Sequence, residues 1–554
     1  MLTDAAGPVI VSIGVAVVWR GAGVTPTTPS TVALATIMSA WGNIRRASAL
    51  TGQRSSLLQP HVRCFSQIRQ KVGDYDLVVI GSGPSATQCA IESAKRGKKV
   101  AIVDKKGSVG GVCVHTGTIP SKTFREAVLH LSGYRHHGFY GKSYSMKTIT
   151  IDDILYRVQR VVSSEVDVIK AQLKAARVDY IMGHARFENE NELSIVRDKS
   201  DVCEEGRSSV SLLRAEKFLI ACGTRPAHNP IVPVDGKVIF DSDQILLGSI
   251  RDLPRSLIVV GAGVIGMEYA SMINVIPGHS VTVIDGRQEI LSFTDDEIIS
   301  NLKYEMRSKG ARFLLGETIQ KVEKDAGGVK VWLNSGKVVS GDALLYTVGR
   351  QANTDALNME AVGLSRNPRG LVTVNKCYQT DRPHIYAAGD CIGAPSLAST
   401  SMEQGRLAAC HMWEQCEQQP TSQLENGNYP YGIYTIPEIS MVGKTEQQLT
   451  KDKVNYEIGI AKYSELAKGQ MSGTTSGGML KILFDPDSLK LYGVHAIGDG
   501  ATEIIHIGQV AMAMGCSLTY FRDAVFNYPT LAEAYRVAAL NGLGRLRRDV
   551  HGSN

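Results

Sequence analysis

The chain runs to 554 residues, 43% hydrophobic and 21% charged, a length that bounds it at roughly three to four domains with several buried cores. Its formal charge of +6 is local: residues 1 to 73 carry seven lysines and arginines against the single acid Asp4, so everything from Asp74 onward is neutral overall. No nucleic-acid partner is implied, and the ten cysteines, scattered with no C-x-x-C and no metal-ligand spacing, read as reduced intracellular thiols rather than a disulfide framework or a metal site.

From Ala5 to Gly73 there is no Asp or Glu, while arginine, serine, threonine and small residues are frequent. That is the composition of an organellar transit segment. Arg63-Cys64-Phe65-Ser66 resembles a mitochondrial processing site, so residues 1–73 read as a leader to the mitochondrial matrix, with plastid import or a cytoplasmic protein bearing an extension as alternatives. The apolar run Pro8 to Trp19 lacks the positive flank of a signal peptide and is shorter than the roughly 20 residues a membrane span needs. No stable membrane span is expected.

Tyr75-Asp76-Leu77-Val78-Val79-Ile80 reads as a buried parallel strand. It runs into Gly81-Ser82-Gly83-Pro84-Ser85-Ala86, the G-x-G-x-x-G/A turn, and then a helix-like Ala90 to Ala94. Glycine is needed there for a tight turn and for backbone N–H groups to approach a pyrophosphate at a helix N-terminus. A second strand ends on Asp104, 23 positions after Gly81 and next to Lys105, which places a carboxylate where a ribose hydroxyl would lie.

Gly110-Gly111-Val112-Cys113-Val114-His115-Thr116-Gly117-Thr118-Ile119-Pro120-Ser121-Lys122 resembles the active-site helix of the flavoprotein disulfide reductases, the family of lipoamide dehydrogenase and glutathione reductase. Their pattern has two cysteines five positions apart before Ile-Pro-Ser-Lys. Here Cys113 stands at the first, but the second is Thr118, which cannot form a disulfide. Gly183-His184-Ala185-Arg186-Phe187, Ala221-Cys222-Gly223-Thr224-Arg225-Pro226 and Ile385-Tyr386-Ala387-Ala388-Gly389-Asp390 resemble three further segments of that family. The resemblance implies that FAD is held by Gly81, Gly83, Pro84, Ser85, Asp104 and Lys105, by Gly111, Val112, Cys113 and Lys122, and by Ala185, Ala221, Cys222, Gly223, Gly389, Asp390 and Ala398. Asp390 takes the ribityl chain.

The strand, glycine turn, helix, strand and acid then recur. Leu257 to Val260 leads into Gly261-Ala262-Gly263-Val264-Ile265-Gly266 and Glu268, and Val281 to Ile284 ends on Asp285, 24 positions after Gly261. Two such units imply two dinucleotides. The second set, with Gly349 in the return segment Thr347-Val348-Gly349-Arg350, takes NAD or NADP. Asp285 favours the free 2′-OH of NAD, and Arg287 either pairs with the 2′-phosphate of NADP or is solvated. By the resemblance, Lys122 and Glu268 pair beside the flavin, where a positive charge stabilises the reduced ring.

The C-terminal part carries Asn527-Tyr528-Pro529-Thr530-Leu531-Ala532-Glu533 where the reductases have His-Pro-Thr-x-x-Glu. That histidine, reaching across the dimer, is their acid/base for the thiols. Histidine titrates near pH 6.5 and tyrosine near 10, so Tyr528 is a poor substitute. Thr118 and Tyr528 together delete the parts needed only for disulfide substrates. The segments around His115, Leu291 and Tyr528 resemble the transhydrogenase branch of the family, although Asp285 stands where a less discriminating polar residue is expected. His495 and His506 read as structural.

The expected fold is α/β, with two Rossmann-like dinucleotide-binding domains, for FAD and NAD(P), and a C-terminal α+β dimerisation domain. The domains are 74–240 and 351–425 for FAD, 241–350 for NAD(P), 426–546 for the interface, and 547–554 as a solvated tail. The expected activity is FAD-dependent hydride exchange between NADPH/NADP and NADH/NAD without a redox disulfide, in a homodimer or higher homo-oligomer. An NAD(P)H oxidase or diaphorase, an atypical dihydrolipoamide dehydrogenase-like flavoprotein and a structural flavoprotein subunit are the alternatives.

Overall fold

Leu77 to Ile80 close strand β1 (Arg69–Ile80) and are buried, as a strand covered on both faces requires. The computed structural model describes residues 69–134, 150–197, 210–246, 252–325, 327–414, 427–474 and 477–551. Most of the stretch read as leader, residues 1–68, lies outside the described residues, and β1 opens five residues before Asp74. Helix α1 (Pro84–Lys95) comes next, then β2 (Val100–Asp104).

The stretch expected as one helix is two, α2 (Gly111–His115) and α3 (Thr118–Leu131). They break at Gly117, where a Cβ would come within 3.0 Å of Val112. Helix α4 (Ile151–Ala175) starts in a capping box between Thr150 and Asp153, which satisfies two otherwise orphaned amides. Strands β3 (Asp179–Met182), β4 (His184–Asn189), β5 (Glu192–Val196) and β6 (Val210–Ile220) complete most of the first sheet, ordered β3-β2-β1-β6-β5-β4. Its β1, β2, β3 and β6 are parallel, and β4 and β5 form an antiparallel meander on β6.

The chain leaves this sheet through β7 (Thr224–Pro226) and builds a second one. Its members are β8 (Ile239–Asp241), β9 (Ser256–Val260), β10 (Ser280–Asp285) and, beyond helices α5 (Val264–Asn274) and α6 (Asp296–Ser308), β11 (Arg312–Leu315). The antiparallel β12 (Ile319–Asp325), β13 (Gly328–Leu333) and β14 (Val338–Gly341) cover one face, and β15 (Ala343–Tyr346) returns to the sheet, which is parallel in the order β11-β10-β9-β15-β8. Strand β16 (Arg350–Ala352) then pairs antiparallel with β7, so exit and return lie side by side. Strand β17 (Ile385–Ala387) joins β6 in parallel, and helix α7 (Ala398–Glu414) lies on α1 so closely that a Cβ on Gly405 would meet the Ser85 carbonyl at 2.1 Å.

The C-terminal region is an antiparallel sheet, β18-β19-β22-β21-β20. Its elements in chain order are β18 (Tyr431–Ile433), β19 (Ile439–Gly443), α8 (Glu446–Lys451), β20 (Glu457–Lys462), α9 (Ala467–Ser472), β21 (Met479–Phe484), β22 (Leu491–Ile497), α10 (Ala501–Ala513), α11 (Leu518–Asp523) and α12 (Ala534–His551). Glycine at 459 lets α12 approach β20, a Cβ there standing 2.2 Å from the Ala538 carbonyl. The segment from 547, expected as a tail, continues α12 as far as His551, because no proline or glycine interrupts residues 545–551. The α/β class and the separate C-terminal α+β unit stand as expected. No helix among the described residues is long and apolar enough to cross a membrane.

Candidate active site

At the first glycine turn, Gly81 has φ 109°, and a Cβ there would collide with the Ala221 carbonyl at 2.2 Å. Gly83 precedes α1 with no side-chain cap, and space opens where its Cβ would be. Its proline at N1 fits a helix start, while the first-turn amides, lacking a cap, face that opening and suit a phosphate. Gly111 lies against Gly83, 3.0 Å from a virtual Cβ. Asp104 ends β2, accepting from Ser82 Oγ at 2.6 Å and from the Lys106 amide at 2.8 Å; Lys105 beside it is exposed. Ser85 and Gly389 touch where α1 meets the end of β17, Ala185 and Ala221 are buried, and Gly223 opens onto free space. This glycine-lined cradle with an uncapped helix start fits the pyrophosphate of FAD.

Asp390 lies just past β17 and receives the Thr224 hydroxyl at 3.5 Å. Arg350 donates to Thr224 Oγ1 at 2.8 Å and pairs with Asp243 at 3.1 Å. Burial pushes the Asp390 carboxyl up, with Arg350 and Thr224 working against it.

The second turn repeats the geometry. Gly261 has φ 105°, Gly263 precedes α5 uncapped, and a Cβ on Gly266 would lie 1.9 Å from the Gly261 carbonyl. Asp285 ends β10, accepting from the Ala262 amide at 2.6 Å. Arg287 folds back onto it, Nε to Oδ1 at 3.0 Å and Nη2 to Oδ2 at 2.7 Å. Burial acts to raise the Asp285 carboxyl, but the fork and backbone amides hold it below the usual carboxylate range.

The second turn opens onto a cavity of about 1130 Å³ whose wall both units share, while the first turn itself, Gly81 to Ala86, is not part of that wall. Val112, Lys122, Asp390 and Ala398 line it from the first unit, and Gly261, Gly263, Ile265, Glu268, Asp285, Arg287 and Gly349 from the second. At its centre Lys122 on α3 meets Glu268 on α5, Nζ to Oε2 at 2.6 Å, with Glu268 almost fully buried. The other Glu268 oxygen accepts the Tyr434 amide at 2.9 Å, and Lys122 Nζ lies 4.9 Å from the Tyr434 ring centre. One ion pair thus joins all three units.

Cys113 is half-buried and hydrogen-bonded to Thr118, the residue at the missing thiol position. Burial pushes its thiol up, against that bond and the Lys122 charge, so it is not an activated thiolate. Tyr528 is exposed and absent from the cavity wall. Sequence reasoning missed Tyr431, Tyr434, Thr502, Ile505 and His506, which the C-terminal unit adds to the cavity. His506, read as structural, stands in that wall and bonds Gln509 at 2.8 Å. No local pattern marks these residues.

A fold with two glycine-turn dinucleotide units around one cavity defines a class of nucleotide-linked flavoproteins. Residues 75–405 match the pyridine nucleotide-disulphide oxidoreductase family, and residues 429–539 match its dimerisation domain. The chain belongs to that family. It is 47% identical to the soluble pyridine nucleotide transhydrogenase of Mycobacterium tuberculosis, over 86% of this chain and 98% of that one. The enzyme of the same name from Erwinia tasmaniensis is 44% identical over 86% and 100%. The structure of LpdA from Mycobacterium tuberculosis aligns with a TM-score of 0.74 at 26% identity, covering 84% of this chain and 99% of that one.

These relatives overturn the expectation of a mitochondrial leader and matrix location. They are soluble transhydrogenases of bacteria, and the comparison points to the cytoplasm rather than the matrix. An acid-poor, arginine-bearing composition is a bulk property that carries no address by itself.

Proposed function

We propose that this chain is an FAD-dependent oxidoreductase that exchanges hydride between NADPH/NADP and NADH/NAD without a redox disulfide. One observation carries the reading: Thr118 occupies the second-thiol position beside Cys113, while the Lys122–Glu268 pair joins the two nucleotide units across one cavity. The likeness to soluble transhydrogenases supports it.

The first glycine turn, the α1 N-terminus, Asp104 and Asp390 hold FAD, and the second turn, with Asp285 and Arg287, holds the nicotinamide nucleotide. When bound, FAD supplies a two-electron carrier that accepts hydride from one nicotinamide and returns it to another. Lys122, fixed by Glu268, presents positive charge to the electrons that arrive. The exchange NADPH + NAD⁺ → NADP⁺ + NADH moves no net proton, so no acid/base is needed where the reductases keep histidine and this chain has Tyr528. The domain order is that read from the sequence, and the assembly is a homodimer. Its interface is supported by the dimerisation-domain match and by exposed Val510, Met514 and Val525.

The test is anaerobic mixing of the enzyme with NADPH and thio-NAD, with a flavin-stripped control. Flavin-dependent formation of the reduced thio-analogue is expected. Bleaching of the flavin by NADPH without transfer would assign the chain to the oxidases or diaphorases, and brisk turnover of lipoamide or glutathione disulfide would overturn the reading from Thr118.

A further inference from the structure

The parallel strands β6 and β17 pair Ile220 with Ala387, so their C-terminal ends bring the next residues of each segment together beside the first glycine turn. Cys222 comes two residues after Ile220. Cys391 is next to Asp390 in a short 3₁₀ turn, Asp390–Ile392, which folds it back against β6. Its Sγ lies 3.3 Å from both the Ile220 and the Ala388 carbonyl oxygens, to either of which its single S–H can donate. Cys222 packs on the same apolar core, close enough for its thiol to act on that of Cys391. Cys391 is fully buried, and Cys222 is half-buried.

We propose that Cys222 and Cys391 are a dithiol that a hydroperoxide oxidises to a disulfide, a site separate from the disabled position at Cys113 and Thr118. The exposures set the order of events. Cys222, the less buried of the two, attacks one peroxide oxygen. The O–O bond breaks, Cys222 becomes a sulfenic acid, and its proton leaves with the other oxygen as water. Cys391 sulfur then attacks Cys222 sulfur, the S–O bond breaks, and the departing hydroxide takes the Cys391 proton as a second water. Two thiols lose two electrons in all, and hydrogen peroxide becomes two waters. The neighbouring Cys222 thiol and then burial push the Cys391 thiol up, which suits a resolving thiol and not a first attacker. The bond would tie the segment after β6 to the turn that carries Asp390.

The test uses the FAD-loaded full-length enzyme exposed to stoichiometric hydrogen peroxide. It is alkylated under denaturing, non-reducing conditions and digested for mass spectrometry. The expected result is a peptide linked through Cys222 and Cys391, short by two hydrogens, with both alkylation signals falling together and returning after dithiothreitol. In a Cys391→Ala enzyme, Cys222 is expected to advance to sulfinic acid instead. Recovery of both thiols separately alkylated would overturn the proposal. So would Cys222 sulfinic acid beside a still-alkylatable Cys391, or Cys222 joined to another cysteine. The wild-type map decides by itself if the variant folds poorly.

Discussion

Arg287 grips both oxygens of the aspartate two residues before it, so the loop after β10 presents a neutralised pair rather than a bare acid. A free carboxylate beside the ribose favours a 2′-OH and repels a 2′-phosphate, whereas a bidentate guanidinium released from Asp285 meets a phosphate well. Arg287→Ala is therefore expected to lower kcat/KM for NADPH roughly ten- to a hundredfold, the worth of a charged hydrogen bond, and to leave NADH much less affected. Steady-state kinetics with each nucleotide checks this, and an unchanged ratio would remove the phosphate role. At Thr118 the reciprocal substitution is informative. Thr118→Cys puts a second sulfur beside Cys113 and is expected to give an enzyme that loses both thiols on mild oxidation. It still fails to turn over lipoamide, since Tyr528 supplies no histidine; thiol mapping and a lipoamide assay read the two halves.

Helices α3 and α5 belong to different sheets, yet they meet through Lys122 and Glu268, and the strand-end loop at Tyr434 closes the contact. A second strut lies one turn along α3: buried Arg125 bonds the Thr435 carbonyl at 3.1 Å and pairs with Glu438 at 3.2 Å. These two links hold the cavity walls at fixed spacing. Glu268→Gln keeps the Tyr434 contact but removes the counter-charge of Lys122. The expected outcome is roughly tenfold or more slower flavin bleaching by NADPH in anaerobic stopped flow. An unchanged rate would reduce the pair to a structural tie.

Across the whole molecule, the start of α6 is fastened to the C-terminal sheet by Lys481. This lysine has no exposed surface and reaches Asp295 at 2.8 Å, Glu297 at 3.0 Å and also Glu446. The three carboxylates lie close enough to hold a metal ion, but the ammonium already stands among them. Burial acts to lower the Lys481 ammonium, and the carboxylates raise it above its usual value. Burial acts to raise the Asp295 carboxyl, and His495 and Lys481 bring it below the carboxylate range. The lysine's contribution is thus complete below its unfolded value near pH 10.4 and fades as pH climbs past the folded one. The aspartate's is complete above its unfolded value near pH 3.9 and fades as pH falls through the lower folded one. Lys481→Ala strands the buried Asp295 carboxylate, with half-buried Glu446 and exposed Glu297 beside it, and is expected to cost about 3–5 kcal/mol. Urea unfolding should show the largest deficit between those two limits, narrowing toward acid.

Both nucleotide turns were legible because their chemistry is local. Positive φ at Gly81 and Gly261, an uncapped helix start and an acid at the next strand's end all fall within some two dozen residues. The absence of a dithiol at Cys113 was equally legible, since it depends only on which residue stands at 118. The cavity wall from Tyr431 to His506, the grip of Arg287 on Asp285, the burial of Lys481 within a strand and the meeting of Cys222 with Cys391 were not. Each joins side chains through a strand pairing, a loop conformation or a domain contact that leaves no periodic trace. Residue types and short spacings thus determined by themselves that this protein is built around two dinucleotides, and the family resemblance of its short motifs implied FAD and the lost dithiol. Only the tertiary structure decided which charges are neutralised and which thiols touch, because distance and desolvation arise when remote segments pack together.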